Sequence, residues 1–312
     1  MTHRRIAYTI IGHQDPAHII RLVRRLHTPQ NTFIIHYDKK SDDAGFQQLQ
    51  HALTPSGGVH FIARHPVYWG NYSLADTIFR AVACLLTQQI QFDHVAILSG
   101  QDYPLKSNDI IQQTLSQYHD RQLFHYFPLP YTDWQPDNGM MRFQKYHFYL
   151  SGHRFEYPPF NLRRKTLAKL IGWKNRQIPL GYKPYGGSGW FILNREGAQY
   201  LHDFAQSSDG KQVLKFFQHT IIPDEMLFHT IFMNSPLRDS VHNDNYWLID
   251  WSRRDKHPET LRMSHLAALT AGDRLFARKF DAQIDGDILD ALDAHMMRQS
   301  EPVRNELISI HG

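Results

Sequence analysis

Short apolar runs spaced through the first hundred residues constrain this chain more than any other feature. Ile6-Ala-Tyr-Thr-Ile-Ile11 is continuous and stops at Gly12; Thr32–His36 and His94-Val-Ala-Ile-Leu-Ser-Gly100 read alike, with a shorter run at Phe61-Ile-Ala63. A run that is apolar at successive positions, and not at every second one, marks a strand covered on both faces, as in a parallel sheet. Between these runs, Pro16–Leu26 sets Ile19, Ile20, Leu22, Val23 and Leu26 at helical spacing with arginines opposite. Ser73–Leu86 predicts a second helix, with Ser73 and Asp76 as its cap pair. The order β-α-β-β-α-β is that of a doubly wound α/β sheet, whose ligand crevice lies outside the carboxyl ends of its strands. His36–Ser41 and Ser99–Pro104 occupy two such ends.

From about Phe124 to Tyr185 aromatic residues and prolines crowd in, among them Tyr131, Trp134, Phe143, Tyr146, Phe148 and Tyr149. A strand at Gly189–Leu193, a helix beginning near Pro223 and a last helix over Ile288–Met297 follow. With 312 residues, 42% of them hydrophobic, the chain can bury a full core. There is no internal repeat, low-complexity tract or linker, so residues 1–312 read as a single domain.

The formal charge of +4 suits an anionic ligand such as a nucleotide diphosphate, a nucleic acid or an anionic membrane surface alike. No Lys/Arg run exceeds Arg163–Lys165, too short for a nucleic-acid stripe, so no nucleic-acid partner is expected. Cys84 is the single cysteine, which excludes a disulfide scaffold. Ile6–Ile11 is too short for a signal peptide, and no window reaches the roughly 18 apolar residues of a membrane span. These features point to a reducing, cytoplasmic location in a bacterium. Exposed basic and aromatic residues would permit docking at the inner face of the cytoplasmic membrane.

Familiar catalytic signatures are missing: no G-x-G-x-x-G, Walker A loop, G-x-S-x-G or H-E-x-x-H occurs. Gly186-Gly-Ser-Gly189 precedes a strand instead of opening a helix, so it lacks the geometry of a phosphate cradle. His13/His18 and His257/His265 do not match metal-ligand spacing. Asp285-Gly-Asp287 imitates a metal-binding D-x-D but stands where a helix N-cap belongs.

Six blocks occur in one order: His36-Tyr-Asp-Lys-Lys-Ser41, Trp69-Gly-Asn-Tyr-Ser-Leu74, Leu98-Ser-Gly-Gln-Asp-Tyr-Pro-Leu105, Gly186-Gly-Ser-Gly-Trp-Phe191, Pro223-Asp-Glu225 and Phe276-Ala-Arg-Lys-Phe280. Together they resemble the Core-2/I-branching N-acetylglucosaminyltransferase and peptide O-xylosyltransferase family, from about Ile6 to Met297. Phe228-His-Thr230, Asn234-Ser-Pro236 and Asn243-Asp-Asn245 look closer to the xylosyltransferase branch. The resemblance implies an α/β, GT-A-like fold with a Rossmann-type nucleotide-sugar-binding sheet and an aromatic-rich acceptor-side subregion. It divides the domain at about residue 123 into a nucleotide-binding half and an acceptor-binding, catalytic half. It also implies a UDP-sugar donor, xylose or N-acetylglucosamine, a glycan or glycoconjugate acceptor, inversion at the anomeric carbon, and no metal or other cofactor. In a bacterium the natural setting is surface polysaccharide synthesis; a catalytically silent UDP-sugar or glycan-binding protein on the same fold is the alternative.

Such a transfer needs a base for the acceptor hydroxyl and fixed positive charge for the leaving diphosphate. A carboxylate at Glu225, following Pro223 and Asp224, would by itself complement a helix dipole; the resemblance makes it the catalytic base. Lys279 matches the lysine that holds the donor diphosphate, with Lys256 or Arg254 as its companion. Asp38 fits the position that meets the nucleoside, or else caps a turn. Asp102 either lines the donor pocket or braces the turn before Pro104, and a single carboxylate is too few for a Mg²⁺ or Mn²⁺ site. Arg142, Lys145, Trp190, Trp247 and Trp251 are nominated for the acceptor side, since sugar faces pack on aromatic rings while hydroxyls need convergent polar groups. One departure stands out: the xylosyltransferase pattern has Gly-Gly-Ser-Asp-Trp where this chain has Gly189, so an acceptor-orienting acid is missing and Glu225 acts alone.

Overall fold

The structure, a computed structural model, describes residues 4–135, 137–150, 153–157, 176–253 and 257–309. Arg163–Lys165, Arg254 and Lys256 lie outside the described residues. The chain runs through β1 (Ile6–Gly12), α1 (Pro16–Leu26), β2 (Thr32–Tyr37), α2 (Asp43–Leu53), β3 (Val59–Phe61), α3 (Tyr72–Thr87), β4 (His94–Ser99), β5 (Tyr103–Pro104) and α4 (Asn108–Gln117). It continues with β6 (Gln122–Phe124), β7 (Tyr126–Pro128), α5 (Met141–Gln144), β8 (Tyr146–Leu150), β9 (His153–Tyr157), β10 (Tyr185–Gly187), β11 (Ile192–Asn194), α6 (Arg195–Gln206) and α7 (Ser208–Phe217). Then follow α8 (Leu227–Met233), β12 (Val241–Asn243), β13 (Trp247–Ile249), α9 (Leu266–Ala271), β14 (Phe276–Arg278) and α10 (Asp287–Ser309).

Two compact units emerge. Residues 1–64, 89–120 and 246–312 form a sheet unit, and residues 65–88 and 121–245 an aromatic unit. A cut near residue 123 therefore misses two crossings: α3 belongs with the aromatic unit, and the last 67 residues return to the sheet unit.

In the sheet unit the strands lie in the order β3-β2-β1-β4, all parallel. Every residue of β1 and β4 is buried, as their unbroken apolar runs require. The order reverses at β1, so the carboxyl ends of β1 and β4 flank the switch point where ligands enter such sheets. Gly12 and Gly100 stand there: a Cβ on Gly100 would come within 3.1 Å of the Gly12 Cα. α1 starts as its sequence dictates, with Asp15 accepting the His18 N–H (3.0 Å) and Pro16 in the first turn. A small second sheet, β13-β14-β5, runs alongside in the same unit.

Several expectations need correcting. α2 was not foreseen: only Leu49 and Leu53 of its apolar residues are buried, between glutamines that blur the period. The third strand lies at Val59–Phe61, two residues early, because it is a half-exposed edge with no buried run to mark it. α3 is capped by Asn71, which accepts the Ser73 N–H (2.8 Å), while Asp76 pairs with Arg80 (2.7 Å). The strand expected from Gly189 begins at Ile192, and the last helix extends past Met297 to Ser309. Asp285 does serve that helix, accepting the Ile288 N–H at 3.2 Å.

In the aromatic unit β6 pairs with β11 antiparallel and with β12 in parallel, β7 with β10, and β8 with β9. Its core is a run of ring contacts: Phe124 stacked on Phe191 (4.6 Å), Phe191 tilted against Phe228 (5.0 Å) and Phe228 tilted against Phe79 of α3 (5.3 Å). Each fully buried ring contributes about 1.5–3 kcal/mol. That density fixes α8, and with it the turn immediately before it.

Candidate active site

Ile222, in a left-handed conformation (φ 49°), throws the chain into a 3-10 turn over Pro223–Glu225, and α8 starts only at Leu227. Glu225 thus sits on a separate turn, not in the first turn of the α-helix as expected. Pro223 and Asp224 are buried beneath it, while the Glu225 side chain is 29% exposed. Arg142 Nη1 donates to Glu225 Oε2 at 2.6 Å. Among the described residues Oε1 accepts no hydrogen bond, which leaves a lone pair for an incoming proton.

Arg142 lies in the short helix α5 and Lys145 is its C-cap; the helix is started by Asp137 accepting the Met141 N–H. Arg142 lies over the Trp134 ring, its guanidinium 3.6 Å from the centroid. Trp134 in turn meets Phe127 edge-on at 4.9 Å. A Cβ on Gly186 would approach Trp134 Cη2 to 2.7 Å, so Gly186 makes room for the indole, while Gly187 lies against the His125 carbonyl and the His229 ring. The aromatic region therefore supplies a platform that aims one arginine at one carboxylate. Lys145 gives its carbonyl to Arg176 (2.8 Å), and Trp190, half-buried, gives its own to Asn245 (2.9 Å).

Sequence reasoning quoted Trp69 in a motif block but gave it no role; it is the most exposed large hydrophobic residue among those described, at 65%. Its neighbour Gly70 (φ +70°, a conformation glycine allows) offers its carbonyl to the Ile222 N–H (2.8 Å) and the Tyr149 hydroxyl (2.6 Å). The residue after this exposed indole is thus tied by a backbone hydrogen bond to the residue that opens the Glu225 turn. A Cβ on Gly189 would lie 3.0 Å from Asp224 Oδ2, so even the smallest side chain there would press on that carboxylate.

In the sheet unit Asp102 is fully buried. Its carboxylate accepts from Ser99 N (3.1 Å), Ser99 Oγ, Trp247 Nε1 (3.1 Å) and Arg278 Nε (3.1 Å), and its carbonyl meets His18 Nε2 at 3.1 Å. Of the two roles foreseen for it, bracing the turn is the one this geometry describes. Trp247 is consequently no acceptor platform: its N–H is spent on Asp102 and its ring packs on Phe276 at 4.8 Å. Trp251 is half-exposed on the loop after β13, in the sheet unit.

Lys279 follows Arg278 through a cis peptide. Its carbonyl accepts the Leu261 N–H (2.9 Å), and Phe280 N–H donates to the Gln101 carbonyl (2.9 Å), pinning the segment to the turn after β4. Among the described residues the Lys279 ammonium has no ion pair. The proposed companions Arg254 and Lys256 are outside the described residues; Arg253 pairs with Glu259 at 2.9 Å. Asp38, 5% exposed at the side chain, accepts from the Lys40 N–H (2.8 Å) and ammonium (2.7 Å), the turn-capping arrangement. Arg64 braces that turn through the carbonyls of Tyr37, Asp38 and Ser41. Among the described residues no three His, Cys, Asp or Glu side chains gather as a metal-binding cluster, and no helix is long and apolar enough to cross a membrane.

The family model of the Core-2/I-branching enzyme matches residues 6–273. This chain belongs to the Core-2/I-branching enzyme family. Its parallel α/β sheet is of the GT-A-like class that goes with that family. Curated relatives include xylosyltransferase 1 of Canis lupus familiaris, 28% identical over 94% of this chain and 30% of its own length, and that of Homo sapiens, 27% identical over 94% and 30%. Xylosyltransferase 2 of Rattus norvegicus is 25% identical over 96% of this chain and 34% of its own length. The chain thus spans about a third of the length of these relatives.

Proposed function

We propose that this chain is an inverting glycosyltransferase that moves xylose or N-acetylglucosamine from UDP to a hydroxyl of a glycan acceptor, in bacterial surface polysaccharide synthesis at the cytoplasmic side. The observation that carries this reading is the Glu225 carboxylate, oriented by Arg142 at 2.6 Å with its other oxygen open. The acceptor O–H proton passes to Glu225 as the acceptor oxygen bonds to the anomeric carbon. The bond from that carbon to the diphosphate breaks in the same displacement, and UDP leaves with the electron pair. Lys279 meets the charge that develops on the diphosphate, a task a fixed ammonium performs without a metal. Asp102, sealed by its own donors, has no free oxygen to offer a divalent ion. Trp69, Trp190 and Lys145 are the acceptor-side candidates that remain, the first because a flat exposed ring suits the apolar face of a sugar.

A UDP-release screen over UDP-xylose, UDP-GlcNAc, UDP-Glc, UDP-Gal and UDP-GlcA with EDTA present tests this reading. Release from one donor that is lost in Glu225→Gln, with UDP binding retained by calorimetry, is the expected outcome. Activity that EDTA removes and Mn²⁺ restores would overturn the metal-free account. UDP or glycan binding with no release from any donor would make the protein a silent binder on this fold.

A further inference from the structure

We propose that Arg176 is a positioning residue for the base, clamping the segment that carries Arg142 to the segment that leads into Glu225; this rests on the reading of Glu225 as the base. Arg176 is 8% exposed. Its Nη1 donates to the carbonyls of Lys145 (2.8 Å) and His219 (2.7 Å), its Nη2 to that of Phe216, and its backbone N–H to that of Gln144 (3.1 Å). Tyr146 and Phe216 cover the guanidinium, with ring centroids at 4.4 and 4.0 Å. Two acceptors, Gln144 and Lys145, close the short helix that bears Arg142. The other two, Phe216 and His219, lie at the end of α7, six residues or fewer before Ile222.

The same two segments touch again where Ile221 N–H donates to the Arg142 carbonyl (3.1 Å) and His147 N–H to that of His219 (2.9 Å). The Arg142–Glu225 contact is thus the outer end of a ladder whose inner rung is Arg176. Among the described residues no carboxylate pairs with this cation, and burial pulls its pKa down to about 10, still charged at neutral pH. A buried charge with no counter-ion is unfavourable, and an apolar residue would fill the space at less cost. The carbonyl ends of α7 offset part of that cost. What the guanidinium adds is direction: its planar set of N–H donors reaches carbonyls on two strands of chain at once, which an ammonium cannot do with the same rigidity. Displacing a reacting group by 1 Å can cost about 10²-fold in rate.

The test uses Arg176→Lys, with Arg176→Ala plus millimolar guanidinium as a second probe, in the full chain. Arg176→Lys should lower kcat for transfer by roughly 10- to 100-fold with donor KM unchanged. Combined with Arg142→Lys, the loss should be no greater than that of the worse single variant, because both act through one contact. Guanidinium should restore part of the activity of Arg176→Ala. Multiplicative losses in the double variant, or a raised donor KM at unchanged kcat, would overturn the proposal. Glu225→Gln separates the two levels. Full transfer by that variant removes the base reading itself, whereas a dead Glu225→Gln beside a fully active Arg176→Lys removes only the clamp.

Discussion

Two carboxylates, one in each unit, hold an arginine apiece and are used in opposite ways. Asp102 is fully buried with both oxygens occupied by the Ser99 amide and hydroxyl, Trp247 and Arg278. Glu225 has one oxygen on Arg142 and the other open, with 29% of its side chain exposed. A carboxylate whose every lone pair is answered cannot take a proton from a substrate; it holds a turn in shape. One that is half answered is oriented and keeps an open lone pair. On the proposed reading this contrast separates scaffold from chemistry in a pair that composition alone makes look equivalent.

Exchanging the charges by near-isosteric substitution breaks the comparison most directly. Glu225→Gln should reduce kcat by about 10²–10⁴-fold, the range of a lost general base, with the urea midpoint unchanged. Asp102→Asn should do the reverse in kind: about 3–5 kcal/mol of stability lost from the sheet unit in urea titrations, because Arg278 is left without its anion. Equal destabilisation by both substitutions would erase the distinction. Lys279→Ala sharpens the donor side, where we expect a rise in donor KM of about tenfold together with a lower kcat, since the ammonium would meet both bound and departing diphosphate. An effect confined to acceptor KM would move Lys279 out of the donor site.

A further effect concerns what the two units share. Each contains a buried neutral histidine: burial lowers the pKa of His94 to about 4 and that of His229 to about 3. The unfolded chain takes up these protons near pH 6.5 and the folded chain does not. Stability is therefore full above pH 6.5 and declines as pH falls toward the folded values, by up to about 1.4 kcal/mol per pH unit for each histidine. Urea midpoints between pH 6.5 and 5.0 should show this slope, and His229→Phe should flatten it. A variant slope equal to the parent's would assign the acid sensitivity elsewhere.

What the sequence made legible follows how far apart partners lie along the chain. β1, α1, β2 and β4 could be read because each carries its whole signal in one continuous run. The strands of the small sheet are two or three residues long, and pairing Tyr103 with Ala277 is invisible without the fold. Glu225 was nominated through its motif. Its partner Arg142 was nominated for a different task, because an ion pair between residues 83 apart leaves no local trace. Trp134 went unassigned since its seat needs two glycines, Gly139 nearby and Gly186 52 positions away, and Trp247 was misassigned since an indole committed to a buried carboxylate looks in sequence like any other indole.

The close approach of Gly189 to Asp224 bears on what position 189 can hold. Restoring an acid at 189, as in the Gly-Gly-Ser-Asp-Trp pattern, would set a second negative charge against Asp224 Oδ2, 3.0 Å from where the new Cβ must stand. An acid at 189 therefore fits only where the Asp224 carboxylate turns aside, a rotation open to a side-chain end and not to backbone. The two positions are coupled through that one oxygen.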